Sequence, residues 1–336
     1  MAIEFSATRY DSMLYRRCGR SGLLLPAVSL GAWQTYGGYK EAEVARECMF
    51  RAFDLGITHF DFANNYGTPP GNAESICGKI IKEMPRDELV ISSKAGYLMW
   101  PGPYGEWGSR KHLISSCDQS LKRMGVDYFD IFYHHRPDPK TPVEESMGAL
   151  ETLVRQGKAI YAGVSSYTGS QFLEAAGTVD RHDWAPITIH QPYYNLLGRT
   201  IESDLLPQTT ASGTGVIAFC PLASGLLTNK FLSGEIAAGN RAATIWPREW
   251  VQKHSVAERR RILTTLNDIA QSRGQTLAQM AISWILRLPA ITSALIGASS
   301  PRQIEENVAA LKHLEFSKDQ LARIDEVTLE KEIARF

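Results

Sequence analysis

Four side chains of this sequence are suited to moving a proton and an electron pair between carbon and oxygen. Asp61 and Tyr66 lie in Asp61-Phe-Ala-Asn-Asn-Tyr66-Gly67, Lys94 closes Leu89-Val-Ile-Ser-Ser-Lys94, and His135 closes Tyr128-Phe-Asp-Ile-Phe-Tyr-His-His135-Arg-Pro. A free phenol titrates near ~10, so Tyr66 acts as an acid near neutral pH only with help. An adjacent ammonium, Lys94, favours the phenolate and lowers that value. Asp61 would keep the ammonium charged and in place. As hydride from a nicotinamide reaches a carbonyl carbon, Tyr66 would protonate the developing alkoxide. His135 would donate a hydrogen bond to the same oxygen. Taken singly, Asp61 with Lys94 also fits a structural ion pair, and Tyr66 an ordinary rim aromatic. The joint placement of all four is what points to chemistry.

The elements that must position them are short apolar runs rich in Val, Ile and Phe. Eight strands are predicted: Val28–Trp33, His59–Asn64, Leu89–Gly96, Tyr128–His135, Ala159–Ser166, Ile187–Tyr194, Gly215–Leu222 and Ile291–Ala298. Most are separated by one helix-length segment, which implies parallel pairing with right-handed crossovers. Eight such units point to an α/β fold, a (β/α)8 TIM barrel, rather than an open doubly wound sheet. Helices are expected over Glu41–Leu55, Ser109–Met124 and Pro142–Arg155, and over Asp268–Arg287 divided at Gly274. Glycines after the first two and Pro142 at the start of the third are ordinary helix punctuation. A hairpin at about 13–25, turning around Gly19–Gly22, is placed to plug the N-terminal mouth. Two long loops, 97–108 and 223–256, read as functional lids or irregular segments. No linker or repeat divides the chain, so residues 1–336 are read as a single domain.

In such barrels the active site lies at the C-terminal strand ends, which puts the four side chains on one rim. His134 and His135 point to opposite faces of a regular strand, so they do not share a metal ion, and no metal is expected; His134 reads as packed under helices. No Gly-x-Gly-x-x-Gly follows the first strand, and Gly213-Thr-Gly215-Val-Ile-Ala218 precedes a strand instead of following one. A phosphate site is better sought after the last strands. There Ser300 is a helix cap, Pro301 suits the first helical position, Gln303 is expected to complete a capping box, and Arg302 adds positive charge. An ordinary capped helix fits the same residues. Cys220-Pro221-Leu222-Ala-Ser224-Gly225 is a small-residue turn open to close approach of a pyrophosphate, with Lys230 and Arg241 beyond it.

Taken in order, Asp61-x4-Tyr66-Gly67, Lys94, Tyr128-x-Asp130-x4-His135-Arg-Pro, Gly163-Val-Ser-Ser166, Gln191-x2-Tyr194-Asn195, Pro221-Leu-Ala-Ser-Gly225 and Gly297-Ala-Ser-Ser-x2-Gln303-x2-Glu306-Asn307 resemble the aldo-keto reductase family over nearly the whole chain. Tyr66-Gly-Thr-Pro-Pro-Gly-Asn-Ala-Glu74 and His135-Arg-Pro-Asp-Pro-Lys-Thr-Pro142 resemble the branch holding bacterial L-glyceraldehyde 3-phosphate reductases and β-subunits of voltage-gated potassium channels. The resemblance implies NADPH lying extended across the barrel mouth, with NADH as a weaker alternative because Ser300 stands where NADPH-preferring members often have a basic residue. Ser165, Ser166 and Gln191 would hold the carboxamide, with Tyr194 and Trp33 near the nicotinamide. The turn Pro221, Leu222, Ser224 and Gly225, with Lys230 and Arg241, would contact the pyrophosphate. Gly297, Ser299, Ser300, Arg302, Gln303, Glu306 and Asn307 would hold the adenosine 2′-phosphate end. Trp33, Tyr66, Tyr97, Trp100, Trp107 and His135 would wall the substrate pocket.

Two functions follow as expectations. One is NADPH-dependent reduction of aldehydes or ketones, small phosphorylated aldehydes such as glyceraldehyde 3-phosphate among them. The other is a nucleotide-binding, redox-sensing partner subunit like those of potassium channels; His135 favours the first, since those subunits tend to carry Asn there. Lys+Arg and Asp+Glu balance at 36 each, so no electrostatic footprint for nucleic acid or an anionic membrane is expected. The five cysteines show no paired spacing and no run reaches a membrane span, which suits a cytoplasmic protein. Assembly into a homo-oligomer is left open.

Overall fold

The computed structural model describes residues 4–229, 232 and 257–329. Two short antiparallel strands, β1 (Tyr15–Arg17) and β2 (Leu24–Pro26), precede eight others: β3 (Val28–Gly31), β4 (His59–Asp61), β5 (Val90–Ala95), β6 (Phe129–His134), β7 (Ala159–Ser165), β8 (Ile187–Gln191), β9 (Gly215–Phe219) and β10 (Ile291–Ile296). The eight close into a parallel barrel in sequence order, β10 pairing with β3. All eight expected strands are present, each core lying inside its predicted run. The runs overreach at the C-terminal side, where residues such as Ala32, Phe62 and Asn64 lie past the paired strand residues yet stay buried and still donate an N–H to the next strand.

Helices cover the barrel as expected. Ala42–Asp54 begins after Glu41, and Val143–Arg155 after Pro142. Arg110–Met124 is capped by the Ser109 hydroxyl, which accepts from the His112 N–H, and ends at Gly125 in the left-handed region. One boundary needs correction. The helix expected from Asp268 begins eleven residues earlier and spans Ala257–Ser272. Its opening Ala-Glu-Arg-Arg-Arg shows too little apolar periodicity to announce a helix. Gly274, at φ +67, then breaks the chain, and Thr276 caps Leu277–Leu286.

The β1/β2 hairpin closes the barrel floor. Cys18, Leu23 and Leu25 join Ile131, Tyr133, Ile189, Ile217 and Leu295 in a cluster made by inward-facing positions of β6, β8, β9 and β10. The turn docks closely, the Arg20 N–H donating to the Gly213 carbonyl at 2.9 Å. A Cβ on Gly19 would stand 2.0 Å from that same oxygen, so only glycine fits.

Candidate active site

Alternation along each strand decides which side chains meet inside. Counting by two from the inward Ile131 and Tyr133 brings His135 to the mouth. The inward set also contains Asp61, Lys94, Ser165 and Gln191. The Lys94 Nζ donates to Asp61 Oδ2 at 2.5 Å and to the Phe62 carbonyl at 2.6 Å. Both charged side chains are buried, Lys94 at 0% exposure and Asp61 at 1%. Asp61 Oδ1 accepts from Ser92 Oγ at 2.6 Å and Gln191 Nε2 at 3.2 Å. A buried ion pair tolerates the loss of water only when its remaining lone pairs are met in this way.

Tyr66 sits just past β4 in a turn closed by the Gly71 and Ala73 N–H groups donating to its carbonyl. Gly67 permits that turn: it lies at φ +95, and a Cβ there would be 2.6 Å from the Ala73 nitrogen. The Lys94 Nζ lies 5.0 Å from the Tyr66 ring centroid, and the His135 ring stands edge-on to Tyr66 at 5.9 Å. All four predicted side chains therefore come together.

Their electrostatics differ from expectation in one respect. Burial first, and then the Asp61 charge, pushes the Tyr66 phenol well above its ordinary value. Lys94, held on Asp61 beneath the ring, does not outweigh that burial. Burial lowers the Lys94 amine, with Asp61 opposing. His135 is driven well below the usual imidazole range by burial and then by Lys94, so its ring is neutral. The phenol thus keeps its proton beside a neutral N–H donor.

The surrounding residues sort unevenly. Ser165 Oγ donates to the Gln191 carbonyl at 2.8 Å, and the Ser166 N–H reaches the same oxygen at 3.1 Å. Ser166 is exposed at the rim at φ +61. Tyr194 is a correction: it is fully buried facing away from the barrel interior, its hydroxyl bonded to Glu202 at 2.5 Å and its ring against Trp284 at 5.4 Å. Counting from Gln191 gives Tyr193 as the inward residue. Phe219, inward-facing at the end of β9, is partly exposed and stands edge-on to Tyr193 at 5.7 Å. It was missed, although counting by two from Ile217 finds it.

Tyr97 packs edge-on against His135 at 4.6 Å. Arg136 lies 4.1 Å over Tyr97 and 3.8 Å over Trp107, and pairs with Glu106. Trp33 is 42% exposed, free to meet a ligand. Trp100 instead packs on His112 of the neighbouring helix, which does not support a place in the pocket wall. His134 faces the helices and bonds the Tyr167 hydroxyl at 2.7 Å.

The turn before the long loop holds Cys220, Ala223 and Ser224 in the left-handed region, with Pro221 buried and Leu222 and Gly225 partly exposed. Lys230 and Arg241 lie outside the described residues. At the Pro301–Val308 helix, Ser300 caps as expected, accepting from the Gln303 N–H. The capping box does not form. Gln303 Oε1 reaches one residue further back, to the Ser299 N–H at 2.9 Å and its hydroxyl at 3.2 Å. Arg302 is exposed and pairs with Glu306 at 2.8 Å, while Asn307 is buried and Gly297 exposed. Among the described residues, no helix is long and apolar enough to cross a membrane.

A closed parallel barrel, with a buried ion pair under a tyrosine and a histidine at its carboxyl rim, is an enzyme architecture. The family model for the aldo/keto reductase family matches residues 27–329, and the chain belongs to that family of oxidoreductases. It is 50% identical over 329 residues to the L-glyceraldehyde 3-phosphate reductase of Escherichia coli (strain K12), covering 95% of this chain and 93% of that one. It is 37% identical over 304 residues to a probable voltage-gated potassium channel subunit beta of Arabidopsis thaliana, covering 89% and 91%. A putative subunit of the same kind in Schizosaccharomyces pombe is also 37% identical, over 324 residues.

Proposed function

We propose that this protein reduces aldehydes to alcohols with NADPH, using Tyr66 as the general acid. The observation that carries the reading is the buried Asp61/Lys94 pair beneath Tyr66 and the neutral His135. When bound, the nicotinamide supplies the hydride. The chain's own residues do the rest. His135 donates its ring N–H to the carbonyl oxygen and orients it. Tyr66, kept protonated by burial, delivers its proton as that oxygen gains charge. Lys94 favours the phenolate left behind, and Asp61 fixes Lys94.

The donor set suits a dinucleotide. Ser166 and Gln191 at the rim offer hydroxyl and amide groups to a carboxamide, and Phe219 offers an exposed ring face. At the start of the Pro301–Val308 helix Pro301 has no N–H and Ser300 takes that of Gln303, so the Arg302 N–H and guanidinium are the groups that suit a phosphate. Small phosphorylated aldehydes such as glyceraldehyde 3-phosphate are the favoured substrates, given the 50% identity to reductases of that name. The 37% identity to channel subunits favours a second reading, a redox-sensing partner subunit. Steady NADPH turnover with a panel of aldehydes separates the two, since a sensor would bind the nucleotide and turn over little. Tyr66→Phe tests the mechanism: turnover should vanish while NADPH affinity stays near wild type. Retained turnover would refute the assignment.

A further inference from the structure

Below the rim, the barrel interior carries polar side chains where such barrels ordinarily hold branched apolar ones. Ser293 Oγ lies 2.7 Å from Ser29 Oγ, which lies 3.0 Å from His59 Nδ1. His59 Nε2 lies 2.9 Å from Ser92 Oγ, which reaches Asp61 Oδ1 at 2.6 Å. The chain crosses β10, β3, β4 and β5, and every member is buried to 1% exposure or less.

The hydrogens follow by elimination. A carboxylate only accepts, so the single hydroxyl hydrogen of Ser92 points at Asp61. Ser92 must then accept from His59, which puts a hydrogen on Nε2. In a neutral ring Nδ1 is the acceptor, so Ser29 donates to it, and Ser293 donates to Ser29. Burial keeps the ring neutral, pushing its pKa down to about 4; Asp61 on its own strand opposes this and Lys94 on β5 adds to it, and these are the charged groups acting on the ring. Every hydrogen bond in the series therefore runs toward Asp61, and each polarises the next.

We propose that His59 is a positioning residue for the reaction, acting through Ser92 to orient Asp61 and draw negative charge away from the oxygens that face Lys94 and Tyr66. The proposal rests on the reading of Tyr66 as the acid. Without the series, more charge stays on Asp61 and the phenol holds its proton more tightly. Proton delivery then slows, and the pH at which reduction fails rises.

The test measures kcat, KM, the pH profile of aldehyde reduction and the thermal midpoint in His59→Leu, His59→Gln and Ser92→Ala. His59→Leu should lower kcat about 3-fold with KM nearly unchanged, and should move the alkaline limb up by about half a pH unit. His59→Gln, whose amide nitrogen can donate to Ser92, should restore both. Ser92→Ala should match His59→Leu, and the two combined should cost no more than either, because both cut one series. A folded His59→Leu or Ser92→Ala enzyme with kcat and pH profile unchanged, and only its thermal midpoint lowered, overturns the proposal. Should His59→Leu fail to fold, the smaller Ser92→Ala change decides by the same readouts. Turnover retained in Tyr66→Phe would strike the acid assignment instead, so the two failures are distinguishable.

Discussion

Replacing Lys94 with methionine removes a cation from a site with no water to replace it. Asp61, 1% exposed, would keep only Ser92 and Gln191 as donors, and the Phe62 carbonyl would lose its Lys94 donor. Breaking a buried pair by deleting one partner costs about 3–5 kcal/mol. For 336 residues the unfolding entropy is about 0.7 kcal/mol per degree, so the thermal midpoint should fall by about 4–7 °C. The double variant Asp61→Asn/Lys94→Met leaves no unpaired charge and should lose less than the Lys94→Met single. Thermal unfolding followed by circular dichroism measures all four corners of the cycle. Turnover should drop about 100-fold or more in every variant that lacks the ammonium. A Lys94→Met protein as stable as the parent, or strictly additive effects, would refute the argument that this pair is mutually dependent.

Acid should destabilise the fold well before the carboxylates protonate. Burial lowers His59 and His134 to about 4 and His190 to about 3, while unfolded imidazoles titrate near ~6.5. The unfolded chain therefore binds more protons between those values, and stability falls as pH drops through that window, by on the order of 5 kcal/mol from pH 7 to 5. Urea midpoints across that range check it; a flat profile would contradict it. Arg302→Ala should weaken NADPH several-fold more than NADH, as direct titration with both nucleotides would show. Equal losses would place the 2′-phosphate elsewhere.

Strand identity was legible because each run is apolar, β-rich and bounded by helix-length segments, and parallel pairing then fixed the barrel. The four central residues were legible because their types recur at strand ends. What escaped was face. Motif order led to Tyr194, whereas alternation from Gln191 leads to Tyr193, and from Ile217 to Phe219. The same counting brings His59 under Asp61 and Ser92 under Lys94, so the buried series was recoverable in principle. The Tyr66 phenol's raised pKa was not, because it depends first on how completely the folded barrel buries the ring, and then on the Asp61 charge beneath it. Gln303 could not be assigned either: its amide reaches Ser299 or Ser300 equally well by spacing, and only backbone geometry chooses.

The hairpin under the barrel stops one end of an interior already filled with side chains. Cys18, Leu23 and Leu25 seal the far end, so nothing passes through. A ligand of the proposed site would enter and leave at the rim. Among the described residues, Tyr97, Trp33 and Phe219 stand at the open end.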